Sequence, residues 1–186
     1  MSIAQDLQSY VERATSALLR SNFDQLAQVA ELLLKTRDSG HWVFIAGNGG
    51  SAATASHMAN DLVKGLNMGK VRFKALALND QVPVLTALAN DYSYEVAYRE
   101  QLFSYAGQGD VFVVFSGSGN SPNVVAAAEY AKSAGIPVIS FGGRDGGKMK
   151  ALSTIAVVAP TDSMEEIEDV HMCWEHALIT ALKSLV

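Results

Sequence analysis

Val111-Phe112-Val113-Val114-Phe115, followed by Ser116-Gly117-Ser118-Gly119-Asn120-Ser121-Pro122, is the stretch on which the fold turns. A short apolar run of β-branched and aromatic residues reads as a buried strand, and the small-residue segment after it reads as a turn into a helix. An earlier stretch has the same outline: Val43-Phe44-Ile45-Ala46 precedes Gly47-Asn48-Gly49-Gly50-Ser51. Working outward, apolar runs bounded by turn residues occur at Trp42–Ala46, Phe73–Leu78, Val111–Phe115, Pro137–Phe141 and Thr154–Val158. Between them lie segments patterned as helices, at 51–66, 82–104, 122–134 and 164–185. Such alternation predicts an α/β fold, doubly wound, with a parallel sheet covered on both faces.

Before the first strand, Leu7, Val11, Ala14, Leu18, Leu26, Val29, Leu32 and Leu33 recur at helical spacing, with a break near Ser21-Asn22. We read residues 1–37 as an N-terminal helical arm and 38–186 as the α/β core of a single domain, 1–186. An apolar stripe on such an arm either packs on its own sheet or seeks another copy of the chain.

The 186 residues, 49% hydrophobic and 18% charged, suffice for one buried core. Fourteen basic against nineteen acidic residues give a net charge of −5, which offers nucleic acid no general attraction. The one cysteine, Cys173, cannot close an intrachain disulfide and lies in no zinc-type cysteine pattern. Met1–Asp6 has neither the basic start nor the apolar run of a secretion signal, and no stretch approaches a membrane span. A cytoplasmic, reducing location is expected, with no membrane partner.

Both strand–turn–helix units leave unpaired backbone N–H groups and a positive helix end at the carboxyl edge of the sheet. The hydroxyls of Ser116, Ser118 and Ser121 suit a phosphate, and the glycines between them let the backbone approach it. The plainer reading is a helix start with Ser121 as N-cap and Pro122 in the first turn. Gly47-Asn48-Gly49-Gly50-Ser51-Ala52 fits the dinucleotide pattern G-x-G-x-x-A, but no acidic residue follows within Asn67–Lys70 and Asp80 comes late. No Gly-Lys-Ser/Thr follows either, so no nucleotide cofactor is expected.

Several motifs in order resemble the sedoheptulose-7-phosphate isomerase (phosphoheptose isomerase) family of SIS, or sugar isomerase, proteins. They are Gly47–Ala53 with His57, Leu85-Thr86-Ala87 with Ala89-Asn90-Asp91, Ser118–Asn123, Gly143–Lys148, and Ile167–His171 with His176. The resemblance implies a five-stranded, flavodoxin-like parallel sheet, a homotetramer with sites between subunits, and aldose–ketose isomerisation of a seven-carbon sugar phosphate. It also implies site residues. Ser51, Ser116, Ser118 and Ser121 would grip phosphate, with Asn48, Gly49, Asn90, Asp91 and Asn120 completing the substrate site. His57, Asp61, Glu168 and His176 would form a metal or acid–base cluster. Two positions depart from the family pattern: Asp61 stands where the family shows glutamate, and Glu168 where it shows glutamine.

His57 and Asp61, four apart on a helix, share a face. Glu168 and His176, eight apart, lie about 12 Å from each other along another. Two imidazoles and two carboxylates suit a divalent ion such as zinc, and equally suit proton transfer without metal. The complementary departures suggest that the carboxylate's work has moved, wholly or partly, to Glu168, so that Asp61, Glu168 and His176 are the expected catalytic groups. Against this stands a surface His–Asp pair and a solvated acidic first turn, Glu165-Glu166-Glu168-Asp169, that favours the helix dipole. His41, His171, Trp42, Phe44, Phe112, Phe115, Met172 and Trp174 read as structural. The competing function is a non-catalytic phosphosugar sensor or protein-binding regulator, and retention of both His57 and His176 favours an enzyme.

Overall fold

The computed structural model describes residues 2–64 and 72–185. Five parallel strands, β1 (Trp42–Ala46), β2 (Lys74–Ala77), β3 (Val111–Ser116), β4 (Val138–Gly143) and β5 (Ile155–Ala159), lie in the order β2-β1-β3-β4-β5. Each strand of this sheet sends alternate side chains to opposite faces. Val43, Ile45, Val111, Val113 and Phe115 enter one core, against α2 (Phe23–Asp38), α3 (Gly50–Lys64) and α8 (Met164–Ser184). Phe44, Ala46, Phe112 and Val114 enter the other, against α5 (Ala97–Tyr105), α6 (Pro122–Ser133) and α7 (Gly147–Leu152). All six residues of β3 are buried, as a central strand covered on both faces requires. The expected doubly wound, five-stranded sheet is thus observed.

Four details differ from the sequence reading. The expected helix over 82–104 is two helices, α4 (Val82–Asp91) and α5, separated at Tyr92-Ser93 by a single 3₁₀ turn, Tyr94–Val96. Ser93 is extended, and the break lets the Tyr94 and Tyr98 hydroxyls reach Asn48 Oδ1 (2.7 Å) and the Gly47 carbonyl (2.5 Å). β4 runs on to Gly143, because Gly142 pairs with Ser116 and Val158, and Gly143 with Ala159. The short helix α7 had no clear apolar pattern to announce it. Finally, only part of the N-terminal arm stands apart from the sheet: α2 buries Leu26, Val29, Ala30 and Leu33 in the core, while α1 (Ile3–Leu19) rides on α8. There Arg13 Nε donates to Glu166 (2.8 Å) and Tyr10 to Asp169 (2.6 Å). Ile3, Leu7 and Val11 remain exposed. Positions 65 and 66, expected to end the helix after β1, lie outside the described residues.

His171 is structural, as expected. It lies among Phe115, Phe141 and Trp174, with Nε2 2.9 Å from the Gly142 carbonyl. Burial pulls it down to about 4. Its folded value lies below the unfolded one, so the unfolded chain binds the extra proton and stability falls as pH drops from 6.5 towards 4. Between pH 7 and 5 this amounts to about 2 kcal/mol. Urea unfolding at the two pH values should show a loss of that size in the parent chain and a smaller one in His171→Gln; equal losses would assign the acid sensitivity to other groups.

Candidate active site

The strand order reverses between β1 and β3. From β1 the chain moves outward to β2 through α3, and from β3 it moves the other way to β4 through α6. The two loops therefore diverge to opposite faces of the sheet and leave a crevice between them. Asn48, Ser51, Phe115, Ser116, Gly117, Ser118, Ser121, Met164 and Glu168 line a cleft there of about 110 Å³. A larger hollow of about 370 Å³ lies beside α4 and α5, lined by groups such as Val84, Leu88 and Tyr105, far from the convergent serines.

The first turns of α3 and α6 both face this cleft, so unpaired N–H groups and two positive helix ends converge with the serine hydroxyls. Ser121 occupies the N-cap position of α6, yet its side chain makes no capping bond. Its hydroxyl is free for a ligand, contrary to the simple capping reading. Gly119 has φ +62°, and a Cβ there would overlap the Gly146 carbonyl, so the second loop is packed directly on the turn before α7. The Met149 N–H donates to the Gly119 carbonyl (3.0 Å) and the Lys148 N–H to Asn120 Oδ1 (3.1 Å).

The structure places the other expected substrate residues as follows. The Asn120 amide is engaged with the Ser118 carbonyl and with Lys148 N–H, so it shapes the loop and does not line the cleft. Gly49, at φ +55°, likewise serves the turn into α3. Asn90 and Asp91 sit together at the exposed end of α4, outside the cleft lining, Asn90 donating to Asp91 at 2.9 Å. Asn48 does line the cleft, where it exchanges two amide hydrogen bonds of 2.9 Å with buried Asn123. This reciprocal pair ties one loop to the other. Asn123→Leu should leave the Asn48 amide nitrogen without its acceptor, while Asn48 Oδ1 keeps Tyr94, and cost about 1–3 kcal/mol, read as a lower urea midpoint; an unshifted midpoint would show the tie to be dispensable.

The cation-type cluster lies further along α3. His57 Nε2 is 3.1 Å from His176 Nε2 and 3.6 Å from Asp61 Oδ2. The expected fourth member is elsewhere: the Glu168 carboxylate lies against Gly50, where a Cβ would overlap it, seven residues and about 10 Å along the axis from His57. In its place the structure brings Glu175, whose Oε2 is 3.6 Å from His176 Nε2 and 3.9 Å from His57 Nε2. One ligand atom from each of His57, Asp61, Glu175 and His176 falls within a 4.8 Å span. Burial first, and then the charge of Asp61, push Glu175 up to about 7, with Lys183 pulling the other way.

The donor set fits a divalent ion. Two nitrogens bound to one tetrahedral zinc stand about 3.4 Å apart, near the separation seen between the two imidazoles. Sequence reading missed Glu175 because it sought one stripe, i to i+8, on α8. Glu175 points into the seam between α8 and α3, and its neighbour His176 reaches the same point from the exposed edge. The burial of Glu175 among Val170, Trp174 and Leu178 is visible only in the folded chain.

Comparison with known proteins gives a consistent picture. The family model described as "SIS domain" matches residues 7–143. A phosphoheptose isomerase of Helicobacter pylori strain P12 is 37% identical over 172 residues, covering 92% of this chain and 90% of that protein. The solved phosphoheptose isomerase of Francisella tularensis superposes with a TM-score of 0.93 at 25% identity, over 99% of this chain and 100% of that one. The Neisseria gonorrhoeae phosphoheptose isomerase gives 0.89 at 30% identity, over 98% and 97%.

Proposed function

We propose, for a chain that belongs to the SIS domain family and within it to the phosphoheptose isomerases, that its reaction is the interconversion of sedoheptulose 7-phosphate and the corresponding aldose, a glycero-manno-heptose 7-phosphate. The observation that carries this reading is the spacing of two groups of residues on one helix. The serine cleft lies at the first turn of α3, and the imidazole–carboxylate cluster begins at His57, about 10 Å further along. A seven-carbon chain with bonds of about 1.5 Å spans roughly 9 Å from phosphorus to C2 when extended, which matches that spacing.

In this reading Ser51, Ser116, Ser118 and Ser121, with the backbone of both loops, hold the phosphate. Asn48 fixes the loops, Asn120 acts through loop shape, and the exposed Asn90 and Asp91 serve the site of a neighbouring subunit. Isomerisation removes a hydrogen from C1 and returns it to C2 through an enediolate, while a proton passes between the two oxygens. Glu168 is our candidate for the carbon-directed base. In the structure its carboxylate lies against Gly50, about 10 Å along the axis from His57, and a phosphate at the first turn of α3 would repel it from there and swing it towards C1 and C2. His176 and Asp61 serve the oxygens. His57, Asp61 and His176 would also hold a divalent ion such as zinc, which when bound supplies positive charge to polarise the carbonyl oxygen.

A homo-oligomer, a tetramer by family resemblance, would cover the exposed Ile3, Leu7 and Val11 of α1. A cytoplasmic setting fits the single cysteine, and among the described residues no helix is long and apolar enough to cross a membrane. Incubation with sedoheptulose 7-phosphate beside a panel of other ketose phosphates, followed by NMR, should show preferential turnover of the heptose; turnover of a shorter sugar alone would overturn the chain-length argument. Glu168→Gln should lower kcat by about 100-fold or more, with sugar-phosphate affinity kept or tightened because a like charge leaves the cleft. A fully active Glu168→Gln would remove Glu168 from the chemistry.

A further inference from the structure

We propose that Glu175 is a direct ligand of the divalent ion held with His57, Asp61 and His176, and that it fills the place at that cluster which the family resemblance gives to Glu168. The proposal rests on the reading that His57, Asp61 and His176 hold such an ion. The Glu175 side chain is 0% exposed, and among the described residues neither carboxylate oxygen has a hydrogen-bond partner. A buried carboxylate without partners is among the costliest arrangements a core can contain.

Protonation does not resolve it. A neutral acid would still leave its O–H without an acceptor, since the nearest imidazole nitrogens stand at 3.6 and 3.9 Å, beyond hydrogen-bond distance. Nor does an ordinary ion pair. The His57 and His176 Nε2 atoms face each other at 3.1 Å, so two imidazolium ions there would repel each other, and in a singly protonated pair the proton lies between the two nitrogens and leaves Glu175 without a donor. One cation among the four groups meets every need: both imidazoles present lone pairs, and both carboxylates gain a counter-charge.

The same placement explains how a shortened helix side chain is tolerated. Asp61 reaches less far across the α3–α8 seam than a glutamate would, and Glu175 supplies a carboxylate from the opposite wall. Glu168, level with Gly50, is thereby left to the substrate cleft.

The test is zinc binding by competition with a chromophoric chelator, combined with thermal unfolding of metal-free and zinc-loaded full-length protein. The parent chain should bind zinc and unfold at a higher temperature with it. Glu175→Gln should bind at least about tenfold more weakly and lose most of the zinc-induced shift, whereas Glu168→Gln should match the parent in both. Metal-free Glu175→Leu should unfold no lower than the parent, since it replaces a buried unpaired carboxylate by an apolar group; this control also serves if the glutamine variant folds poorly, because Glu175→Leu must likewise lose the zinc shift. Unchanged zinc affinity in both Glu175 variants would overturn the proposal while leaving the ion at the other three residues. A parent chain that binds no zinc, cobalt or manganese would overturn the metal reading itself, and the assignment of Glu175 with it.

Discussion

Reversal of strand order at β1 and β3 is the constraint on which the rest of the molecule depends. A right-handed crossover from β1 puts α3 on one face of the sheet, and one from β3 in the opposite direction puts α6 on the other. Two helix starts are thus forced to open on one crevice, whatever their sequences. What this chain adds is chemistry suited to an anion: small residues that let the backbone approach, and hydroxyls at Ser51, Ser116, Ser118 and Ser121. Among the described residues that line the cleft there is no lysine or arginine, and positive charge comes from the helix ends.

The second constraint is the packing of α8 beside α3. Glu168 is level with Gly50, and Glu175 and His176 are level with His57 and Asp61. The two helices thus carry two groups of residues: the serine cleft at their starts and the imidazole–carboxylate group two turns on. Gly50 matters here through what it lacks, since a side chain there would displace the Glu168 carboxylate. The Asn48–Asn123 pair secures the crevice from the other side, and Tyr94 and Tyr98 reinforce Asn48 and Gly47.

Much of this was legible in the sequence, for identifiable reasons. Val43–Ala46 and Val111–Phe115 are apolar throughout because their strands are covered on both faces, and the turn residues after them mark the crevice directly. Membership of the SIS family was equally legible, because the motifs lie in order along most of the chain. What escaped the reading depends on side-chain direction and on tertiary packing. Glu175 could not be told from a helix-surface glutamate by spacing, and Glu168 could be placed on α8 but not at the level of Gly50. The break at Tyr92-Ser93 escaped for a similar reason: the contacts of Tyr94 and Tyr98 with the first loop, which accompany it, are tertiary and do not show in the spacing. Ser121 shows the converse, a residue in a capping position whose hydroxyl does not cap.

The central claim is that one crevice holds the phosphate while the reacting end of the sugar lies along α3 at the histidine cluster. A crystal structure with a ketose phosphate bound tests this most directly. The account predicts phosphate oxygens within hydrogen-bond distance of the Ser116, Ser118 and Ser121 hydroxyls and of the first-turn amides of α3 and α6, with C1 and C2 beside His57 and His176. A phosphate seated in the hollow beside α4 and α5, or a sugar lying in the reverse direction with its phosphate at the histidines, would contradict it.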